Sequence, residues 1–318
     1  MDQTKKMSLN ADPASLKQTF VDLVVKESKT KLNILVTGKT GVGKSRLVNG
    51  LVGRPVAKEG RMRDPCTVAE TPYTVIIEDI TVIVWDSRGL QDGTNNDKLY
   101  LANLKDINSK HGFDIVIYCL RMDDTKFYPA DKNAIRMLTG GLGKDLWKKA
   151  VMALTFANKI EDPDGGDESA FFMNEMSEWK RQIDGLLTEL KIDCQVRSAL
   201  PVVPAGNYKK LHLPTCNNWL SELWTSCYCV MDDKAGLALY LLNMHRLRFP
   251  GSTATEAAIP SQSEDEAALA ESDIPKVIPL NEEQENRFWK RMRQVIAGTT
   301  GLAVLAGLGI TVLRCLVR

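Results

Sequence analysis

Gly38, Lys39, Thr40, Gly41, Val42, Gly43, Lys44 and Ser45 read G-x-x-x-x-G-K-S. Glycines in that pattern let the backbone curl until successive N–H groups face one phosphate, and a helix opening at the loop's end offers its positive N-terminus to the same anion. Lys44 is then placed to reach β- and γ-phosphate oxygens, and the Ser45 hydroxyl to hold Mg2+. Arg46 adjoins the loop and is counted with it as nucleotide-binding. A plain glycine turn between a strand and a helix accounts for the bends but not for the Lys-Ser pair.

Two further segments complete a nucleotide site. VIVWDSRGL ends an apolar run at Asp86 and puts Gly89 three residues on. A carboxylate there holds the magnesium through water, and the Gly89 N–H approaches a γ-phosphate. The polar stretch GRMRDPCTVAETPYT offers Thr67 and Thr71 to close over the metal, with Thr67 preferred. LTFANKIED then supplies Thr155, Asn158 and Lys159 to a base. In an Asn-Lys-x-Asp reader the Asp accepts from guanine N1 and N2; here Glu161 stands at that position and Asp162 one residue later, which leaves the reading acid open between them. The turn VVPAGNYKK brings Ala205, Gly206 or Asn207 toward the same base. The Asn158-Lys159 pair disfavours an ATP-using P-loop kinase.

These positions need a frame that gathers them. Apolar runs at 32–38, 73–79, 80–86, 113–120, 150–157 and 199–206 alternate with helical stretches at Lys44 to Val52, about Asp97 to Lys110, Ala130 to Leu138 and Glu168 to Leu190. Polar Glu78 and Asp79 between the second and third runs predict an antiparallel hairpin there. The other runs are nearly continuous Val/Ile/Leu, as in strands buried on both faces. The alternation predicts one doubly wound α/β domain with a mostly parallel sheet over 31–249. Leu16, Phe20, Leu23 and Val24 share one face of a leading helix within 1–30.

Forty-one basic residues against 40 acidic ones leave no global field for nucleic acid. The seven cysteines lack paired metal-ligand spacing, and no apolar leader opens the chain. The acidic cluster Glu161, Asp162, Asp164, Asp167 and Glu168, broken by Pro163, Gly165 and Gly166, reads as a solvated loop capping the next helix. Trp219 and Trp224 read as core.

Composition shifts at 250–286, which is rich in Pro, Ser, Ala and acids and reads as a disordered linker. Residues 287–318 follow as a C-terminal membrane anchor, with nineteen uncharged residues at 295–313 between Arg287, Lys290, Arg291, Arg293 and Arg314. At ~1.5 Å per residue they span roughly 28 Å, close to the hydrocarbon thickness of a bilayer. A transmembrane helix at this position holds the domain before it on the cytosolic side.

In this order the phosphate loop, VWDSRGL, LTFANKIEDPDG, the ALPVVPAGN segment and the apolar tail resemble the septin-related GTPases of the immunity-associated, AIG type. They are also similar to the import-receptor GTPases of the chloroplast outer envelope, over about Lys31 to Trp224. In the import receptors a T-x-A-x segment handles the base, matching Thr155, Phe156, Ala157 and Asn158, although Phe156 stands where they show histidine. The resemblance implies GTP with Mg2+, dimerisation across the nucleotide face with a second copy or a related GTPase, and membrane attachment. Leu90 occupies the place of the glutamine that orients water in Ras-like enzymes, which predicts slow hydrolysis. Arg88 is the candidate catalytic group, as an arginine finger or else an exposed switch residue. The expected function is a membrane-held GTP switch acting on an effector; the alternative is a GTP-dependent membrane scaffold with negligible turnover.

Overall fold

Apolar runs become strands where the chain can bury both of their faces. In the computed structural model, which describes residues 24, 28–57, 72–77, 80–86, 95–244, 246–250 and 277–298, six strands form one sheet. They are β1 (Lys31–Gly38), β2 (Pro72–Ile77), β3 (Ile80–Asp86), β4 (Ile115–Arg121), β5 (Ala150–Thr155) and β6 (Val202–Pro204), in the order β2-β3-β1-β4-β5-β6. β2 and β3 are the expected antiparallel hairpin, with Ile77 opposite Ile80, and every other pairing is parallel. β1, β4 and β5 are buried almost end to end, which is why their sequences do not alternate.

The helices are α1 (Lys44–Val52), α2 (Asn95–His111), α3 (Pro129–Leu142), α4 (Glu168–Glu189), α5 (Cys194–Ala199), α6 (Trp219–Val230), α7 (Asp233–Asn243) and α8 (Glu282–Gly298). α1 and α7 pack on β1, α6 packs on β5 and β6, and α2 packs on α3. Parallel strands send their C-terminal ends to one edge, and the reversal of strand order about β1 opens a crevice there. Trp219 and Trp224 are fully buried in α6, as a core reading requires. Arg246, 4% exposed, donates to the Leu51 and Gly50 carbonyls at the back of α1 and to Asn243 Oδ1. Burial pushes its guanidinium down to about 10, so it stays charged at neutral pH.

The C-terminal part corrects the expected boundaries. The linker was expected to run to 286 and the anchor to start at 287, yet residues 277–295 pack against the domain. A short parallel ladder pairs β7 (Leu247–Arg248) with β8 (Ile278–Pro279), and Ser221 Oγ donates to Pro279 O at 2.6 Å. α8 then begins with a reciprocal cap. Gln284 N donates to Asn281 Oδ1 at 2.8 Å and Asn281 N to Gln284 Oε1 at 2.9 Å. Phe288, Trp289, Met292 and Val295 fall on one face and are each at most 2% exposed. Val295, the expected first residue of the membrane span, therefore belongs to the core. Among the described residues no helix is long and apolar enough to cross a membrane. Residues beyond Gly298 lie outside the description, as does the leading helix apart from Val24 and Ser28–Thr30, Val24 being helical and buried.

Phe288 meets the rings of Trp224, Tyr228, Tyr240, Phe249 and Trp289 at centroid separations of 5.0 to 6.3 Å. Deleting such a ring costs about 3–5 kcal/mol. Phe288→Ala is expected to lower unfolding stability by that amount in urea titration, an outcome foreign to a flexible tail.

Candidate functional site

β1 leaves the sheet through a position that no side chain could occupy. A Cβ on Gly38, whose φ is +136°, would lie 2.4 Å from the Cys119 carbonyl oxygen on β4. The loop then turns through left-handed Gly43, at φ +81°, into the first turn of α1. Val42 is buried and pins the loop. Lys44 is 7% exposed and arches back over the loop, its Nζ donating to the Lys39 and Gly38 carbonyls at 2.7 and 3.2 Å. Thr40 and Ser45 are half-buried, Gly41 is exposed, and Arg46 is exposed with its guanidinium 5.7 Å from the Tyr208 ring centroid. Lys39 turns the other way, pairing with Asp131 Oδ2 at 3.0 Å beside the Tyr128 ring. Burial pushes the Asp131 carboxyl up, and the Lys39 pair offsets this only in part.

Asp86 ends β3 in register with Val36, so its backbone lies beside the start of the phosphate loop. Thr67, Thr71, Arg88, Gly89 and Leu90 lie outside the described residues.

The base side is assembled at the end of β5. Thr155 is buried and its hydroxyl donates to Leu120 O at 2.9 Å, so this side chain braces the sheet under the loop. Phe156 follows in a left-handed conformation, φ 58°, a strain of about 1–3 kcal/mol for such a residue. That geometry lays its ring against the phosphate loop, where a Cβ on Gly43 would meet it at 3.5 Å. The Arg121 guanidinium stands 4.3 Å and the Lys159 ammonium 4.8 Å from the ring centroid. Asn158 Oδ1 accepts from Asn207 N at 3.3 Å, which ties the β5 end to the 205–207 turn. Asp162 is spent on its own loop, accepting from Asp164 N and Gly166 N, while Glu161 is exposed. Asp167 caps α4 through Ser169 N and Ala170 N, so this acidic cluster shapes a turn.

Arg121 and Asp123 were not singled out from sequence. Arg121 forks onto Asp123 at 2.9 and 2.6 Å, and Lys159 Nζ lies 3.5 Å from the same carboxylate. The signal was present in RMDD, charges crowded at the end of an apolar strand, where site residues of such sheets collect. A cleft of about 1000 Å3 lies elsewhere, bordered by Trp147, Asp184, Arg197, Glu222, Arg287 and Arg291. No phosphate-loop residue lines it, as befits a loop that grips an anion with surface N–H groups.

A parallel sheet whose first strand feeds a glycine loop and helix, with the β5 end alongside, is a P-loop GTPase fold. Residues 32–189 match the model of the AIG1 family. Among curated relatives, translocase of chloroplast 34 of Pisum sativum is 32% identical over 185 residues, covering 57% of each chain. A translocase of chloroplast 34 homolog of Chlamydomonas reinhardtii is 30% identical over 159 residues, 46% of this chain and 39% of the relative. The chain thus spans about two fifths to three fifths of these two relatives. Toc33 of Arabidopsis thaliana with Mg2+ and GMPPNP superposes with a TM-score of 0.52 at 24% identity, over 72% of this chain and 93% of that one. The structure described as "Dimerization is important for the GTPase activity of chloroplast translocon components atToc33 and psToc159" gives 0.56 at 24% identity, over 68% and 88%. At such identity these structures show the shared fold.

The Arg121–Asp123 fork gives a pH prediction. Burial alone would push the Asp123 carboxyl up, but the Arg121 hydrogen bonds and charge, with Lys159, outweigh it and hold it below the usual value. Its contribution is present above the ordinary carboxylate pKa and lost as pH falls through the depressed one. Asp123→Asn is expected to cost about 1 kcal/mol at neutral pH, shrinking toward zero on the acid side of the carboxylate range. Denaturant titrations at both ends of that range measure the difference.

Proposed function

We propose that the chain is a guanine-nucleotide switch that binds GTP with Mg2+, pairs through its nucleotide edge with a second copy or a related GTPase, and is held at a membrane by residues after Val295. The observation that carries the reading is Lys44, whose ammonium spans the loop on the Gly38 and Lys39 carbonyls, set where triphosphate oxygens would meet it. The residues present suit both ligands. Gly38, Lys39, Thr40, Gly41, Val42 and Gly43 offer backbone N–H groups to the phosphates, and the Ser45 hydroxyl with the Asp86 carboxylate suits a hard cation, Thr67 completing the set. Bound Mg2+ neutralises phosphate charge.

On the base side, Asn158, Lys159 and Asn207 contact guanine, and the Phe156 ring forms the wall next to the loop. Support for guanine comes from the Toc33 structures, described as complexes of GDP and of GMPPNP with Mg2+. Pairing is supported by the link between dimerisation and GTPase activity stated for atToc33 and psToc159. Membrane attachment is supported by the uncharged run after Val295, with the G domain on the cytosolic side.

Hydrolysis is slow in this reading, because Leu90 cannot orient water; Arg88 is the side chain offered in its place. The same leucine supports the second reading, a GTP-dependent scaffold without meaningful turnover. Single-turnover rates measured at rising protein concentration separate the two: acceleration marks a pairing-activated GTPase, and a flat negligible rate marks the scaffold.

Lys44→Ala is expected to weaken GTP binding at least about tenfold, roughly 1.4 kcal/mol or more, in fluorescent-nucleotide titration. Unlabelled GTP is expected to displace the probe and ATP to fail. Displacement by ATP at equal concentration would defeat the guanine assignment.

A further inference from the structure

The phosphate loop carries two lysines whose side chains part company. Lys44 arches over the loop with its Nζ on the Lys39 and Gly38 carbonyls, at 2.7 and 3.2 Å. The Lys39 backbone therefore lies directly under the Lys44 ammonium, while the Lys39 side chain leaves for α3. There its Nζ pairs with Asp131 Oδ2 at 3.0 Å and stands 5.5 Å from the centroid of the Tyr128 ring.

Asp131 lies in the first turn of α3, two residues after Pro129, and its side chain is 5% exposed. An acid at that position commonly serves the helix dipole from solvent. This one is instead buried against the loop, and among the described residues no other cation pairs with it. Asp124, whose charge also reaches Asp131, adds a like charge and is turned toward Arg121 at 3.9 Å. Stripping its one cation from a buried carboxylate is strongly unfavourable, so the Lys39 ammonium stays with Asp131 when an anion enters the loop.

We infer that Asp131 is a positioning residue, which holds the Lys39 side chain off the phosphates and thereby speeds the release of bound nucleotide. The inference rests on the guanine-nucleotide reading above. It divides Lys39 in two: the backbone N–H belongs to the phosphate cradle and the ammonium does not. Of the two ammonium groups in GKTGVGKS, only that of Lys44 then acts on the anion. A second one beside the polyphosphate would add attraction, and the bound nucleotide would leave more slowly.

Stopped-flow chase of a fluorescent GDP from the full chain, in Mg2+ and low salt, reads the release rate. Asp131→Asn keeps the size and a helix-end acceptor but removes the charge, and is expected to slow release about tenfold by freeing Lys39. Salt near ~1 M is expected to erase most of that slowing, because it screens a freed surface ammonium and leaves a packing change untouched. Adding Lys39→Met to Asp131→Asn is expected to abolish the slowing. Asp131→Ser removes the same charge with a smaller side chain and is expected to act in the same direction, and urea titration without nucleotide establishes which variants are folded. Folded Asn and Ser variants that release GDP as fast as the wild type, or faster, overturn the inference. Slowing that survives the loss of Lys39 overturns it equally. A wild-type chain that binds no fluorescent GDP overturns the nucleotide reading beneath it, so the two failures are distinct.

Discussion

Everything at the nucleotide edge depends on how closely β1 approaches β4. With the Cys119 carbonyl 2.4 Å from where a Cβ on Gly38 would stand, the strand ends at a residue without a side chain and the backbone departs directly into the phosphate loop. β4 lies between the two halves of the site: its pairing with β1 sets Gly38 beside Cys119, and its pairing with β5 sets Arg121 beside Thr155. Loop, cation and base side are thus consequences of the two registers that β4 makes with its neighbours. Slipping either by one residue would turn side chains to the wrong faces of the sheet.

The base side reaches its geometry at some conformational expense. Phe156 accepts a left-handed backbone that a bulky residue avoids, and the surroundings hold it there: the Thr155 hydroxyl on β4, Arg121 and Lys159 over the ring, and the Asn158 bond to Asn207. Strain kept in place by several independent contacts is a common mark of a working site. The two cations over the ring are in turn restrained by Asp123, so this corner behaves as one linked unit.

Sequence reading recovered the parts governed by local rules. The phosphate loop needs glycines and a Lys-Ser pair at fixed spacing, and doubly buried strands show as unbroken apolar runs. The reading failed where a long-range partner decides the outcome. Residues 277–286 look too polar to fold alone, yet β7 pairs with β8, Ser221 bonds Pro279, and just beyond them Phe288 packs among Tyr228, Tyr240 and Phe249. One local clue was legible, the Asn281 to Gln284 spacing of a helix cap. Thr155 carries a structural part that its type does not announce: its hydroxyl donates to Leu120 O on the neighbouring strand. The roles of Arg121 and Asp123 required knowing which strand end meets which loop.

Arg246 has a consequence that distance from the phosphate loop conceals. α1 is nine residues long, roughly 13 Å, with the loop at its N-terminus and the Arg246 guanidinium on the Gly50 and Leu51 carbonyls at the other end. A helix of aligned peptide dipoles carries partial positive charge where a phosphate would sit and partial negative charge where the guanidinium does sit. Anion in front and cation behind each complement the same macrodipole, so the charge balance of the phosphate cradle extends through the helix to a residue on the far side of it.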